Sequence, residues 1–333
     1  VRLRATAAAA LALLPMLFGI SAATADTGTP PPSPSTSTAS PRIVGGDPAP
    51  VAYAGAGSLQ LLDHDAPNWH SCGLTLLEQG YDETGQPAAV AATASHCLSN
   101  PPSPAEQARM TPAEKKVFTS FRTDLRNPTI DRSDPAIYHA RFGSPNRLQG
   151  GVVRVGSKIV VPAGWAWGKV DKDGKVRDVS LIRFVGHVDG VRPARVAPAW
   201  LWQPARAIGW GISTDPAAWT GPAPAQLSQL DVPLLRAGKC APGGIGAGEL
   251  CAGVPPTGGG VCNGDSGSGL LQRHGGDWYL LGAASRTIAE FCGSAAIYTD
   301  LNTYRWWIIQ EIRQLLPGAL GVFTHTAPAT PVG

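Results

Sequence analysis

With 333 residues, 43% hydrophobic and 15% charged, the chain can bury one or two substantial cores, and its composition excludes a disordered or fibrous protein. A formal net charge of +3 supplies no basic field of the kind that nucleic acid or an anionic membrane would select.

In chain order, Arg2 and Arg4 precede the apolar run Ala7 to Ile20, which ends at the small-residue site Ala23-Thr24-Ala25. This predicts a secretory signal over 1–25 and an extracellular protein. The run is too short for a membrane anchor, and no later segment is apolar enough over a bilayer's thickness. Residues 26–42 are rich in Pro, Ser and Thr and read as an extended leader or propeptide.

After Arg42-Ile43-Val44-Gly45-Gly46 come short β-like runs: Ser58 to Leu62, Gly73 to Leu77, Ala88 to Ala92, Val152 to Val155, Lys158 to Val161, Val179 to Phe184, Ala205 to Gly209, Leu270 to Gln272, Trp278 to Ala284 and Ala296 to Tyr298. Gly and Pro punctuate them, a pattern that predicts an all-β sandwich or barrel. Two stretches differ. Residues 101–150 mix prolines with the helix-compatible Pro112 to Phe118 and read as a long surface insertion. Leu301 to Leu316 repeats Trp306, Trp307, Ile309, Ile312 and Leu315 at three- and four-residue intervals, which predicts one amphipathic helix stopped by Pro317-Gly318. A short tail, 317–333, follows.

The six cysteines, Cys72, Cys97, Cys240, Cys251, Cys262 and Cys292, suit an oxidising compartment. Several pairings are open, and sequential pairing would close three short loops. No C-x-x-C pair exists and the histidines lack ligand spacing, so no metal and no cofactor is expected.

Chemistry concentrates at Cys262-Asn263-Gly264-Asp265-Ser266-Gly267-Ser268-Gly269, where glycines let a hydroxyl stand on a sharp turn with open backbone N–H groups. A serine nucleophile needs a base and a group that orients the base. His96 follows an apolar run and directly precedes Cys97, whereas His64, His70, His139, His187, His274 and His325 read as solvated loop residues. Asp178 opens an alternating run, so it stands at the mouth of a strand.

Five segments in order, Ile43-Val44-Gly45-Gly46, Thr93 to Cys97, Asp178 to Leu181, Gly209-Trp210-Gly211 and Cys262 to Gly269, resemble the landmarks of the chymotrypsin-like (trypsin-fold) serine proteases, in a secreted bacterial-type form. The resemblance implies two perpendicular six-stranded β-barrels with a C-terminal α-helix, making up a protease domain at 43–316. It implies a catalytic triad of His96, Asp178 and Ser266, an oxyanion hole of the Gly264 and Ser266 N–H groups, and disulfides Cys72–Cys97, Cys240–Cys251 and Cys262–Cys292. It further implies a zymogen, cut after Arg42 by a trypsin-like protease so that the Ile43 ammonium pairs with Asp265.

In the same resemblance, the specificity pocket falls on Gly260, Val261, Ser285, Arg286 and Thr287. Gly260 stands where trypsin-like members carry an aspartate, so the pocket should take an uncharged side chain, small or medium. Arg286 puts a cation where the family has an aromatic wall. Ser95 replaces the usual alanine. The reading is a monomeric secreted serine endopeptidase acting on polypeptides, without nucleic-acid or membrane partners; the alternative is a pseudoprotease that kept the fold and acts as a secreted binding protein.

Overall fold

Residues 88–92 form a continuous apolar run because their strand is covered on both faces. In β4 (Pro87–Thr93), Ala89 and Ala91 point into one core, and Ala88, Val90 and Ala92 into another. β7 (Ser180–Val185) divides in the same way, with Ile182 and Phe184 on one side and Leu181 on the other. The period-two geometry of a strand makes this two-core arrangement possible. The computed structural model describes residues 43–62, 68–121, 130–212, 223–289, 291–319 and 321. The expected signal and leader at 1–42, and most of the tail, lie outside them.

The first of these cores fills a closed antiparallel barrel. Its strands are β2 (Ala56–Leu61), β3 (Trp69–Tyr81), β4, β5 (Tyr138–Phe142), β6 (Val152–Val160) and β7, in the order β2-β3-β4-β7-β6-β5. Leu59, Leu74, Leu76, Tyr138 and Phe142 are sealed inside, and Phe142 meets Phe184 edge to face at 5.4 Å.

The second β-module is a sheet of eight strands: β1 (Asp47–Pro48), β8 (Ala205–Gly209), β9 (Ser228–Val232), β10 (Leu234–Leu235), β11 (Glu249–Ala252), β12 (Gly269–His274), β13 (Asp277–Thr287) and β14 (Ala296–Asp300). Their order is β1-β9-β8-β12-β13-β14-β11-β10, so six main strands carry a two-residue strand at each end. Ile43, Leu230, Leu270, Leu281 and Tyr298 build its core.

A third cluster joins the modules. There α3 (Arg305–Leu315) packs Ile308, Ile309, Ile312 and Leu315 against Val90, Leu181, Trp210 and Leu280. The helix begins four residues later than the periodicity predicts. Trp306, assigned to its apolar stripe, is 74% exposed. Two residues from Ile308 is about 200° around a helix, so Trp306 faces away from the packed side.

The described parts of the 101–150 stretch, 101–121 and 130–150, hold more regular structure than a surface insertion requires. Ser103 and Thr111 each close a capping box, with Glu106 and Glu114, over a proline at the helix start, producing α1 (Pro104–Arg109) and α2 (Pro112–Ser120). Its later part supplies barrel strand β5, bonded to β2 and β6, so the inserted segment ends before residue 138. His139 is therefore buried on β5, with Nε2 2.9 Å from Gln60 Oε1, rather than solvated.

Candidate active site

β4 stops at Thr93, and Ser95–Cys97 make a single 3-10 turn that carries His96. The Cys72–Cys97 disulfide ties that turn to β3. Ser95 does more than fit: its hydroxyl donates to the Arg177 carbonyl at 3.2 Å and accepts from Ser180 Oγ at 2.8 Å, linking the histidine turn to the start of β7.

Asp178 lies there, fully buried. One carboxylate oxygen accepts the His96 backbone N–H at 3.0 Å, and the other faces His96 Nδ1 at 2.8 Å. Ser285 Oγ donates to that second oxygen at 2.6 Å. Burial by itself would raise this carboxyl, but the His96 charge and the hydrogen bonds from His96 and Ser285 hold it below the usual carboxylate range. The carboxylate facing Nδ1 holds an N–H on that side of the ring. Nε2 is buried and has no hydrogen-bond partner among the described residues.

The serine turn docks on the same end of the barrel. Gly73 N–H donates to the Ser266 carbonyl at 2.7 Å. A Cβ on Gly267 would lie 2.1 Å from Thr93 Oγ1 and 3.0 Å from Ala94 N, so only glycine lets the turn settle two residues from His96. Gly264 has φ +93°, and neither its N–H nor that of Ser266 meets an acceptor among the described residues.

Asp265 turns inward. Its carboxylate accepts from Gly211 N–H and Cys262 N–H, both at 2.8 Å, and burial pushes its pKa up to about 7 against those two bonds. A side chain at Gly211 would come within 2.4 Å of this carboxylate, which explains the glycine after Trp210. Ile43 is buried in the core of the second β-module with φ +51°, and Val44 bridges Gly260 through bonds of 3.0 and 2.9 Å. Arg42 lies outside the described residues.

The three disulfides are Cys72–Cys97, Cys240–Cys251 and Cys262–Cys292. Cys72 and Cys97 approach His96, but as disulfide sulfurs they offer no thiolate to a metal.

Val261, Ser285, Arg286 and Thr287 line one cavity with Ser266, and Gly260 lies outside that lining. The Arg286 cation does not stand free in it. It pairs with Glu249 at 2.6 Å, both side chains are sealed from water, and it donates to the Gly243 and Gly244 carbonyls at 3.0 and 2.7 Å.

Sequence reasoning missed two residues here. His70 is buried, with Nε2 2.9 Å from the Gly264 carbonyl and Nδ1 2.8 Å from Ser58 Oγ. Burial, reinforced by Arg147, lowers it to about 3, so it is neutral and holds the peptide of the serine turn. Its alternation with Cys72 and Leu74 on β3 was the available signal. Phe121, at the end of α2, lies 5.1 Å from the His96 ring and also lines the Ser266 cavity; no local pattern marks it.

A family model described as Trypsin matches residues 86–308. Among curated relatives, the CLIP domain-containing serine protease B14 of Anopheles gambiae is 32% identical over 121 residues, 32% of this chain and 30% of its own length. Kallikrein-14 of Homo sapiens is 37% identical over 112 residues, covering 32% and 40% of the two chains. Trypsin-1 of Astacus astacus is 28% identical over 165 residues, covering 46% and 65%. The chain thus spans less than two thirds of the length of each of these relatives.

Proposed function

The chain belongs to the trypsin family, and on that premise we propose that it is a secreted serine endopeptidase using Ser266, His96 and Asp178. The observation that carries this reading is the buried His96 Nδ1–Asp178 contact at 2.8 Å, beside a serine turn docked on the same barrel end.

Ser266 Oγ attacks the scissile carbonyl while His96 Nε2 takes its proton, and Asp178 stabilises the imidazolium. The C–N bond then breaks as His96 passes the proton to the leaving amine. Water hydrolyses the resulting acyl-enzyme, with His96 as base again. The Gly264 and Ser266 N–H groups stabilise the oxyanion, each contributing about 3 kcal/mol.

Activation by a trypsin-like protease after Arg42 has physical support. Ile43 sits in a left-handed conformation that a β-branched residue adopts at a cost of about 1–3 kcal/mol. Asp265 has no cation among the described residues, and burial alone drives it toward the neutral form. A freed Ile43 ammonium would relieve both.

The assignment extends to a signal at 1–25, a leader at 26–42, a protease domain at 43–316 and monomeric action on polypeptides outside the cell. Among the described residues no helix is long and apolar enough to cross a membrane. The Arg286–Glu249 pair removes net charge from the pocket wall and favours an uncharged substrate side chain, small or medium. The scant room beside Ser266 favours one second reading, a pseudoprotease that binds without cutting.

The test uses protein beginning at Ile43. Cleavage of peptide amides and fluorophosphonate labelling mapped to Ser266 are expected, both abolished in Ser266→Ala, with Asp178→Asn lowering kcat about 10⁴-fold. Labelling of neither this form nor its Phe121 variants returns the pseudoprotease, and cleavage of esters alone returns an esterase.

A further inference from the structure

The end of α2 places an aromatic residue against the proposed site. Phe121 is 2% exposed, and its ring lies 5.1 Å from His96 and 5.6 Å from both Trp165 and Trp167. The Arg286 guanidinium is 5.8 Å from the same ring centre. Phe121 and Ser120 also line the Ser266 cavity, whose volume is about 20 Å³, room for about one water. His96 is 1% exposed, and its unpartnered Nε2 is closed off from solvent. A base that must receive a proton from Ser266 and pass it to a leaving amine cannot serve a polypeptide in that state.

We propose that α2 and Phe121 form a built-in cover over His96 and the specificity cavity, which holds the folded chain closed and must lift before a polypeptide is cut. The inference rests on the protease reading above and assigns its regulation.

The cover is a folded element held by one small cluster, in which Met110, Phe118 and Trp165 are only partly buried. A capping box starts α2, as another starts α1, so the N-terminus of each helix has its own hydrogen bonds. α1 buries no residue and α2 buries only Val117, leaving Val117 and Phe121 as the fully buried anchors against Trp167 and Val176. A segment with so few buried contacts opens at a lower free energy than the two β-modules unfold. Lifting it removes the aromatic lid from His96 and leaves Arg286 paired with Glu249, so no buried charge is stranded.

The experiment compares the full chain with Phe121→Leu and Phe121→Ala. Modification of His96 by diethyl pyrocarbonate is followed by peptide mapping, with the partly exposed His187 as internal reference, and fluorophosphonate labelling of Ser266 is measured in parallel. Expected is a graded rise in the His96 rate, reaching about tenfold or more in Phe121→Ala, as the closed state loses population. The His187 rate and circular dichroism should stay unchanged. Equal His96 rates in all three proteins overturn the proposal. Should both variants unfold, Phe121 is a core residue rather than a releasable cover, and the proposal also falls. Faster His96 modification with no Ser266 labelling in any protein supports the cover and rejects the protease.

Discussion

Ser285 donates its hydroxyl to the same Asp178 oxygen that faces His96 Nδ1, at 2.6 Å. The bond reaches from the second β-module to the mouth of β7 in the first, so the orientation of His96 depends on both.

Replacing Ser285 with alanine should lower kcat/KM about tenfold, because a hydrogen bond to a charged group contributes about 1.5–3 kcal/mol. Asp178 has a depressed pKa in the folded chain, so its contribution to stability is present above the unfolded value and lost as pH falls through the folded one. Losing the Ser285 bond raises the folded value. The acid-unfolding midpoint of Ser285→Ala should therefore move to higher pH, as a circular-dichroism titration would register.

Asp265 predicts the opposite trend for the intact chain. Its folded pKa of about 7 lies above the ordinary 3.8, so the folded state binds the extra proton between those values and loses stability as pH rises through that window. The melting temperature of the uncleaved protein should fall from pH 5 to pH 8, and Asp265→Asn should flatten that slope. After cleavage at Arg42 the Ile43 ammonium should remove the fall. An uncleaved protein whose melting temperature is flat over that range would contradict the burial of an unpaired carboxyl.

Glu249→Ala leaves the sealed Arg286 guanidinium without its counter-charge. A broken buried pair costs about 3–5 kcal/mol, so urea denaturation should show a loss of that size. The double variant Glu249→Ala with Arg286→Met should recover most of it, since no charge is then stranded. A double variant as unstable as the single one would argue against the pairing.

His70→Ala should loosen the serine turn. It removes the side chain that bonds the Gly264 carbonyl, while Ser58 Oγ keeps its bond from Gln60 Nε2, and leaving a buried acceptor unpaired costs about 1–3 kcal/mol. If the Gly264 peptide contributes to the oxyanion hole, kcat should fall more than KM rises in steady-state assays of the Ile43 form. A change confined to KM would place His70 outside the proposed transition-state machinery.

Much of this architecture is legible in the chain. Ala88 to Ala92 and Val179 to Phe184 announce their strands because both faces of each are buried, which leaves continuous apolar runs. Tyr138 to Phe142 is absorbed into the expected insertion because its five residues include His139 and Arg141, and Pro135 and Gly143 flank it; only pairing with β2 and β6 makes it a strand. Trp306 joins an apolar stripe on paper, yet faces solvent because the start and phase of α3 follow the contacts of Ile308 and Ile312.

By itself the sequence determined the local chemistry: a serine on a glycine turn, a histidine beside a cysteine, and an aspartate at a strand mouth. These depend on neighbours a few residues away, where backbone geometry dictates the outcome. Only the tertiary structure decided that Glu249 neutralises Arg286, that His70 holds the Gly264 carbonyl, and that Phe121 covers His96. Those contacts join residues far apart along the chain, and their meeting depends on how the barrel closes and the insertion packs, which no local periodicity encodes.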